Sequence, residues 1–355
     1  MALLTKLSGS SRTTLLALFA LWVSWSTIVV AASPEPAAAR DGYEYYTIGD
    51  PAAATPGSVE PGLMLVGGGE WPYDAFRWMI EQSGHGHIVI LRASGAAEAQ
   101  DEFYKDIGGI ASAQTFVFHD RKAASDPVVL AAIRNADGIF IAGGDQANYV
   151  RYWKGTPLND ALDRHVRAGK PLGGTSAGLA ILGAWAYGAM DGGSMTSDVA
   201  LRDPLDPGMT LVGDFLHLRY LEQVITDSHF GKRDRLGRLI AFVAKLRSQG
   251  AAEVVGLGID EGAALCIDGD GIGRVYPGTE NGRAWLVQPT QPAGRVESGQ
   301  PLDYAGVRIT GIGPDSRLNL QDFSVASPAF RRIADARDGR LSVREAQAPP
   351  PASAR

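Results

Sequence analysis

The chain has a single cysteine, no run of basic residues, and no second apolar stretch like the one in its first 32 residues. One cysteine, Cys266, rules out an internal disulfide. Its setting, Ala263-Ala264-Leu265-Cys266-Ile267, reads as a buried strand residue and not as a reactive thiol. A formal charge of −6, from 33 basic and 39 acidic residues, leaves no cationic excess to neutralise phosphates, so no nucleic-acid partner is expected. No His, Cys or carboxylate set stands at ligand spacing on one element, so no metal is expected. Gly67-Gly68-Gly69 lacks the spacing of a dinucleotide loop, and Asp268-Gly269-Asp270-Gly271 lacks the spaced oxygens and distal glutamate of a calcium loop. The expectation is a site that works without a cofactor.

What the chain does have is material for a large core: 355 residues, 45% hydrophobic and 20% charged, within reach of one α/β domain of about 250–300 residues. Residues 1–32 read as an export signal. Lys6 and Arg12 precede an apolar run over 13–30, and Ala31-Ala32-Ser33 supplies small residues for cleavage. That run is nearly long enough to span a bilayer, so an uncleaved anchor is the alternative. Taking those two basic residues from −6 leaves −8 for the mature chain, which is expected to be secreted or periplasmic and free of the membrane. Residues 33–60 read as a lead-in, 61–345 as one domain, and 346–355, with three consecutive prolines, as a disordered tail.

From Leu63 onward, short apolar runs alternate with helical periods. Strands are expected at 63–66, 87–91, 115–118 and 138–142, with helices over 73–82, 98–107, 127–135 and 157–167. This alternation predicts a mostly parallel sheet with helices on both faces, whose active residues cluster at the carboxyl ends of strands. Residues 188–213 show no clean period and read as a long loop over the site. Strands at 221–226 and 254–258 flank a helix over 235–247. Beyond Leu265, Asp268-Gly269, Pro277-Gly278 and Asn281-Gly282 turns predict an antiparallel β extension.

The chemistry centres on Gly174-Thr175-Ser176-Ala177-Gly178. A G-x-S-x-G at a strand-to-helix turn pushes the serine hydroxyl outward, with small neighbours because the turn is crowded. The following residues, 177–184, read as a buried helix. A serine nucleophile needs a base and a group to orient it. Of six histidines, His85, His87, His119, His165 and His217 read as surface or structural residues. His229 follows an apolar strand and falls on the same sheet edge as Ser176. The acid candidates are Asp227, Asp260 and Glu261; Asp227 is close in sequence to His229, and Glu261, at the end of the next strand, is the better partner. The resulting serine, histidine, acid order differs from that of α/β-hydrolases and disfavours an ordinary esterase.

Four segments then carry a resemblance: Gly143-Gly144-Asp145-Gln146; the Ser176 elbow; Asp227-Ser228-His229-Phe230 with Arg233, Arg235 and Gly237-Arg238-Leu239; and Gly258-Ile259-Asp260-Glu261. Together, over roughly 63–267, they resemble the cyanophycinase-like serine peptidases, a family that also includes aspartyl dipeptidase. The resemblance implies a fold similar to class I glutamine amidotransferases, a Ser176-His229-Glu261 triad, and an oxyanion hole from Ala177 and the Gly144-Asp145 turn. It also implies substrate-side roles for Gln146, Asp227, Ser228, Arg233, Arg235 and Arg238. For the arginines, ion pairs at a helix start are the other reading, and Arg238 in particular could be structural.

The implied substrate is an aspartate backbone carrying arginines on its side-chain carboxyls, cleaved to β-aspartyl-arginine dipeptides, with no cofactor. Such proteins are often dimers, so a homodimer is among the expectations. One departure stands out: the residue before the motif histidine is usually glutamine in that family and is Ser228 here. An aspartyl dipeptidase or other small-peptide peptidase, and a non-catalytic binding protein of the same fold, are the competing readings.

Overall fold

A computed structural model describes residues 38–346; the signal-like residues 1–32 and nearly all of the tail lie outside them. The alternation read from Leu63 onward does build a parallel core. Strands Ser112–Phe118, His87–Arg92, Gly138–Ile141, Leu172–Thr175 and Gly62–Val66 lie side by side and parallel. Each is buried on both faces. Leu63, Leu65, Val89, Leu91, Ile139 and Ile141 point one way, onto the helices Pro127–Asn135 and Pro157–Arg167. Met64, Val66, Ile88, Ile90 and Phe140 point the other way, onto the helix Tyr73–Gln82 through Phe76, Met79 and Ile80. This is the period-two pleat of a doubly covered sheet.

The expectation of one mostly parallel sheet needs correction, because the chain forms two mixed sheets of eleven and eight strands. The elbow is followed by a single helical turn, Ala177–Ala180, in place of the longer helix expected. The chain then leaves the first sheet to start the second at Trp185–Tyr187. Strand Val224–Asp227 lies in this second sheet, parallel to both Trp185–Tyr187 and Val255–Ile259. A turn at Asp260–Gly262 returns the chain to the first sheet, where Ala263–Asp268 runs antiparallel to Gly62–Val66. The second sheet shares the central core through Val224, Leu257 and Leu286, and packs its other face on helix Leu236–Ser248.

Two further segments carry more structure than expected. Residues 188–213 hold the short helix Ser197–Arg202 and the strand Leu211–Gly213, which pairs with Trp185–Tyr187. Within 33–60, Tyr43–Gly49 forms a strand against Ser112–Phe118, with Tyr43 and Tyr46 buried. The antiparallel extension beyond Leu265 is present, beginning with the hairpin of Ala263–Asp268 and Ile272–Pro277 about the Asp268-Gly269-Asp270-Gly271 turn. Cys266 is buried in that hairpin's first strand.

Candidate active site

The strand Leu172–Thr175 ends at Ser176, whose backbone sits at φ 53° and ψ −111°. That is a strained conformation for a residue with a side chain, and it turns the hydroxyl out of the sheet. The glycines two residues either side are sterically required. A Cβ on Gly174 would stand 2.7 Å from the carbonyl carbon of Gly178, and one on Gly178 would run into the carbonyl of Ile141.

His229 and Glu261 come from the second sheet, on the turns after Val224–Asp227 and Val255–Ile259. The glycine turn after Gly62–Val66 clasps both to the nucleophile. The Ser176 N–H donates to Val66 O (3.1 Å), the His229 N–H to Gly67 O (2.7 Å), and the Gly262 N–H to Gly68 O (2.8 Å). Ser176 Oγ lies 2.7 Å from His229 Nε2, and His229 Nδ1 lies 2.5 Å from Glu261 Oε1. The three side chains expected to converge therefore do so, at the seam between the two sheets.

The His229 side chain is 10% exposed. Burial pushes its pKa below the usual histidine value, and the Arg233 and Arg235 charges push the same way, against the hydrogen bond and charge of Glu261. The ring is thus kept neutral and able to accept a proton. Burial works to raise the Glu261 carboxyl, but hydrogen bonds from Lys232 and His229 outweigh it and hold the group below its ordinary value. Lys232 Nζ sits 2.5 Å from Glu261 Oε2. Sequence reasoning missed this lysine; its position between His229 and Arg233 is the one hint.

The other acid candidates have other work. Asp260 accepts from the Gly231 N–H (2.8 Å) and Trp285 Nε1 (2.9 Å), bracing the turn that carries His229. Asp227 is buried and takes Arg238 through Nε at 2.7 Å and Nη2 at 2.5 Å, with Arg235 Nη1 at 3.3 Å. Arg238, 1% exposed, also donates to Met195 O (3.0 Å) and Ser194 Oγ (3.3 Å), tying down the segment that follows the elbow. Ion pairing, the other reading of the arginines, describes Arg235 and Arg238. Burial pushes Arg235 down to about 10, and its Nη1 also reaches Ser228 O (2.8 Å) and Ser228 Oγ (3.3 Å). Arg233 is exposed at the cleft and pairs with no carboxylate among the described residues.

A cleft of about 300 Å³ opens beside Ser176 and is lined in part by Gln146, Ser228, Arg233 and Arg235. Ala189, Gly192, Gly193 and Ser194 form another part of its wall, so the segment read as a loop over the site does border it. Gln146 begins the helix Gln146–Trp153, which Asp145 caps by accepting from the Ala147 N–H (2.9 Å). The Asp145 N–H is itself engaged by Ser94 Oγ (3.0 Å), which leaves Gly144 as that turn's oxyanion candidate beside Ala177. The turn adjoins the nucleophile: a Cβ on Gly143 would lie 3.4 Å from Ser176 Cβ.

Residues 96–275 match the model of Peptidase family S51, and that span holds all four segments read from the sequence. The chain belongs to this family. The cyanophycinase of Synechococcus elongatus is 31% identical over 245 residues, covering 67% of this chain and 70% of that one. The cyanophycinase of Trichormus variabilis is 26% identical over 294 residues, covering 79% and 92%. Among solved structures, a peptidase from an acI-B1 actinobacterium aligns at TM-score 0.44 and 19% identity, covering 68% of this chain and 98% of that one. The S51 chain is accordingly a serine-type, cyanophycinase-like peptidase, which acts on a peptide or polymer.

Proposed function

We propose that the protein is an exported peptidase that hydrolyses backbone bonds next to aspartates carrying arginine on their side chains, releasing β-aspartyl-arginine. The observation that carries this reading is the continuous hydrogen-bonded chain Ser176 Oγ, His229, Glu261 beside a cleft bordered by Arg233, which has no carboxylate partner among the described residues. Ser176 Oγ attacks the scissile carbonyl carbon while its proton passes to His229 Nε2. The oxyanion is held by the backbone N–H groups of Ala177 and Gly144. His229 then gives that proton to the departing amine as the carbon–nitrogen bond breaks, leaving an ester on Ser176. A water, deprotonated by the same nitrogen, hydrolyses the ester and restores the hydroxyl. Glu261 keeps Nδ1 protonated throughout and balances the imidazolium.

Arg233 takes a free carboxylate of the acyl half in this reading, and Gln146 lines the same cleft. Arg235 and Arg238, neutralised in part by Asp227, shape the floor. The five-strand parallel core ending at the elbow fits the amidotransferase-like fold implied by the resemblance. Export rests on the signal-like residues 1–32 alone.

Ser228 favours a second reading, an aspartyl dipeptidase or other small-peptide enzyme, because its short side chain is turned to Arg235 where a glutamine would reach further. Mass spectrometry of products from cyanophycin, wild type against Ser176→Ala, separates the two. β-Aspartyl-arginine from wild type alone is expected; activity restricted to short aspartyl peptides would replace the first reading by the second.

A further inference from the structure

The site has a second lobe. A cavity of about 290 Å³ shares only Ser176 and His229 with the cleft described above, so this pair forms the divide between them. The acyl half of a substrate, held on the Arg233 side, must place its leaving amine next to His229 and pass the remainder across that divide.

The second lobe carries one charged side chain of each sign. Its two charged side chains are Arg92 and Glu102. Arg92 is occupied: Nε donates to Ser94 O (2.7 Å), Nη1 donates to Ala96 O, and Glu98 lies 3.6 Å away. Glu102 makes no ion pair among the described residues. It faces the Tyr73 hydroxyl, while burial and the neighbouring Asp106 charge push its pKa up, as expected of a half-buried carboxylate lacking a cation. Trp71 supplies an adjacent flat wall, its indole fixed by stacking on Phe76 (centroids 4.1 Å apart, 7° between planes). Thr175, in the same wall, has a buried hydroxyl without a partner among the described residues. A carboxylate beside an immobilised indole is a setting that suits a planar guanidinium, which pairs with the first and stacks on the second.

We propose that this lobe receives the leaving half of the substrate and that Glu102 selects a guanidinium-bearing residue there. The assignment rests on the function proposed above and names the side chain that would read the second arginine. Arg233 discriminates the acyl half by its anionic group; Glu102 discriminates the leaving half by its cationic one.

The test uses two synthetic substrates, each with two backbone-linked aspartates. One carries arginine on both side chains; the other carries citrulline, its neutral near-isostere, on the leaving residue only. Wild type is expected to prefer arginine by about tenfold or more in kcat/KM, the range of a charge-assisted pair. Glu102→Gln should bring that ratio close to one by lowering kcat/KM on the arginine compound, and Glu102→Asp should restore part of it. An undiminished preference in Glu102→Gln, or equal wild-type rates on both compounds, would overturn the Glu102 assignment and leave the proposed function standing. Failure of wild type to cleave either compound would overturn that function, and this inference with it.

Discussion

Lys232 Nζ stands 2.5 Å from Glu261 Oε2, on the oxygen that His229 does not use. The carboxylate is therefore held at both ends, one by the ring it orients and one by a lysine whose side chain is 72% exposed. Solvent screens that second contact, so its contribution is modest. Lys232→Met should lower kcat by no more than about fivefold with little change in KM, consistent with a surface pair worth about 1 kcal/mol or less, and Lys232→Arg should recover most of it. Steady-state kinetics of the two variants check this; a loss comparable to that of Ser176→Ala would mean that the lysine touches substrate.

Asp227 and Arg233 lie six positions apart and should fail in different ways. Asp227 is the buried counter-charge of Arg235 and Arg238. Asp227→Ala leaves two guanidiniums without it and should cost about 3–5 kcal/mol of stability, read by urea unfolding. Arg233→Ala removes an exposed side chain, so stability should change by no more than about 0.5 kcal/mol while KM rises. A stable Asp227→Ala protein that lost only substrate affinity would reverse the assignment.

Glycine at position 68 is imposed by the site. Its φ is +97°, and a Cβ built there falls on the His229 imidazole. Gly68→Ala should displace the ring from Ser176 and lower kcat by about a hundredfold, since misplacement of a reacting group by 1 Å can cost that much. Turnover of the folded variant, verified by circular dichroism, tests this.

The pH profile follows from His229. Only the neutral ring accepts the Ser176 proton, so activity is present above its pKa and lost as pH falls through it. Burial, aided by Arg233 and Arg235, lowers that pKa. The acid limb of kcat/KM should accordingly fall below about pH 6.5, the unperturbed value. Arg233→Ala, which removes one neighbouring cation, should move the limb upward. A limb above 6.5 in wild type would contradict the burial described here.

The elbow was legible because its requirements are local: Gly174 and Gly178 meet backbone within a few residues or on the adjacent strand. The helices Tyr73–Gln82 and Pro157–Arg167 were equally plain, since their apolar steps recur over ten and eleven residues. The second sheet was not. Trp185–Tyr187 and Leu211–Gly213 are three residues each, too short to show a period, and strand pairing is set by partners far along the chain. His229 and Glu261 could be placed at strand ends without knowing that those strands belong to a different sheet from Ser176. The arginines show the limit more sharply. Spacing puts Arg233, Arg235 and Arg238 in one cluster, and only burial separates the exposed one from the two that pair with Asp227.

The central claim is that Ser176 is a nucleophile activated by His229. Intact-protein mass spectrometry after exposure to a fluorophosphonate, with peptide mapping, measures it directly. One adduct at Ser176 is predicted, absent in Ser176→Ala and formed far more slowly in His229→Ala. A folded wild-type protein that takes up no phosphonate, or takes it up at another residue, would contradict the account.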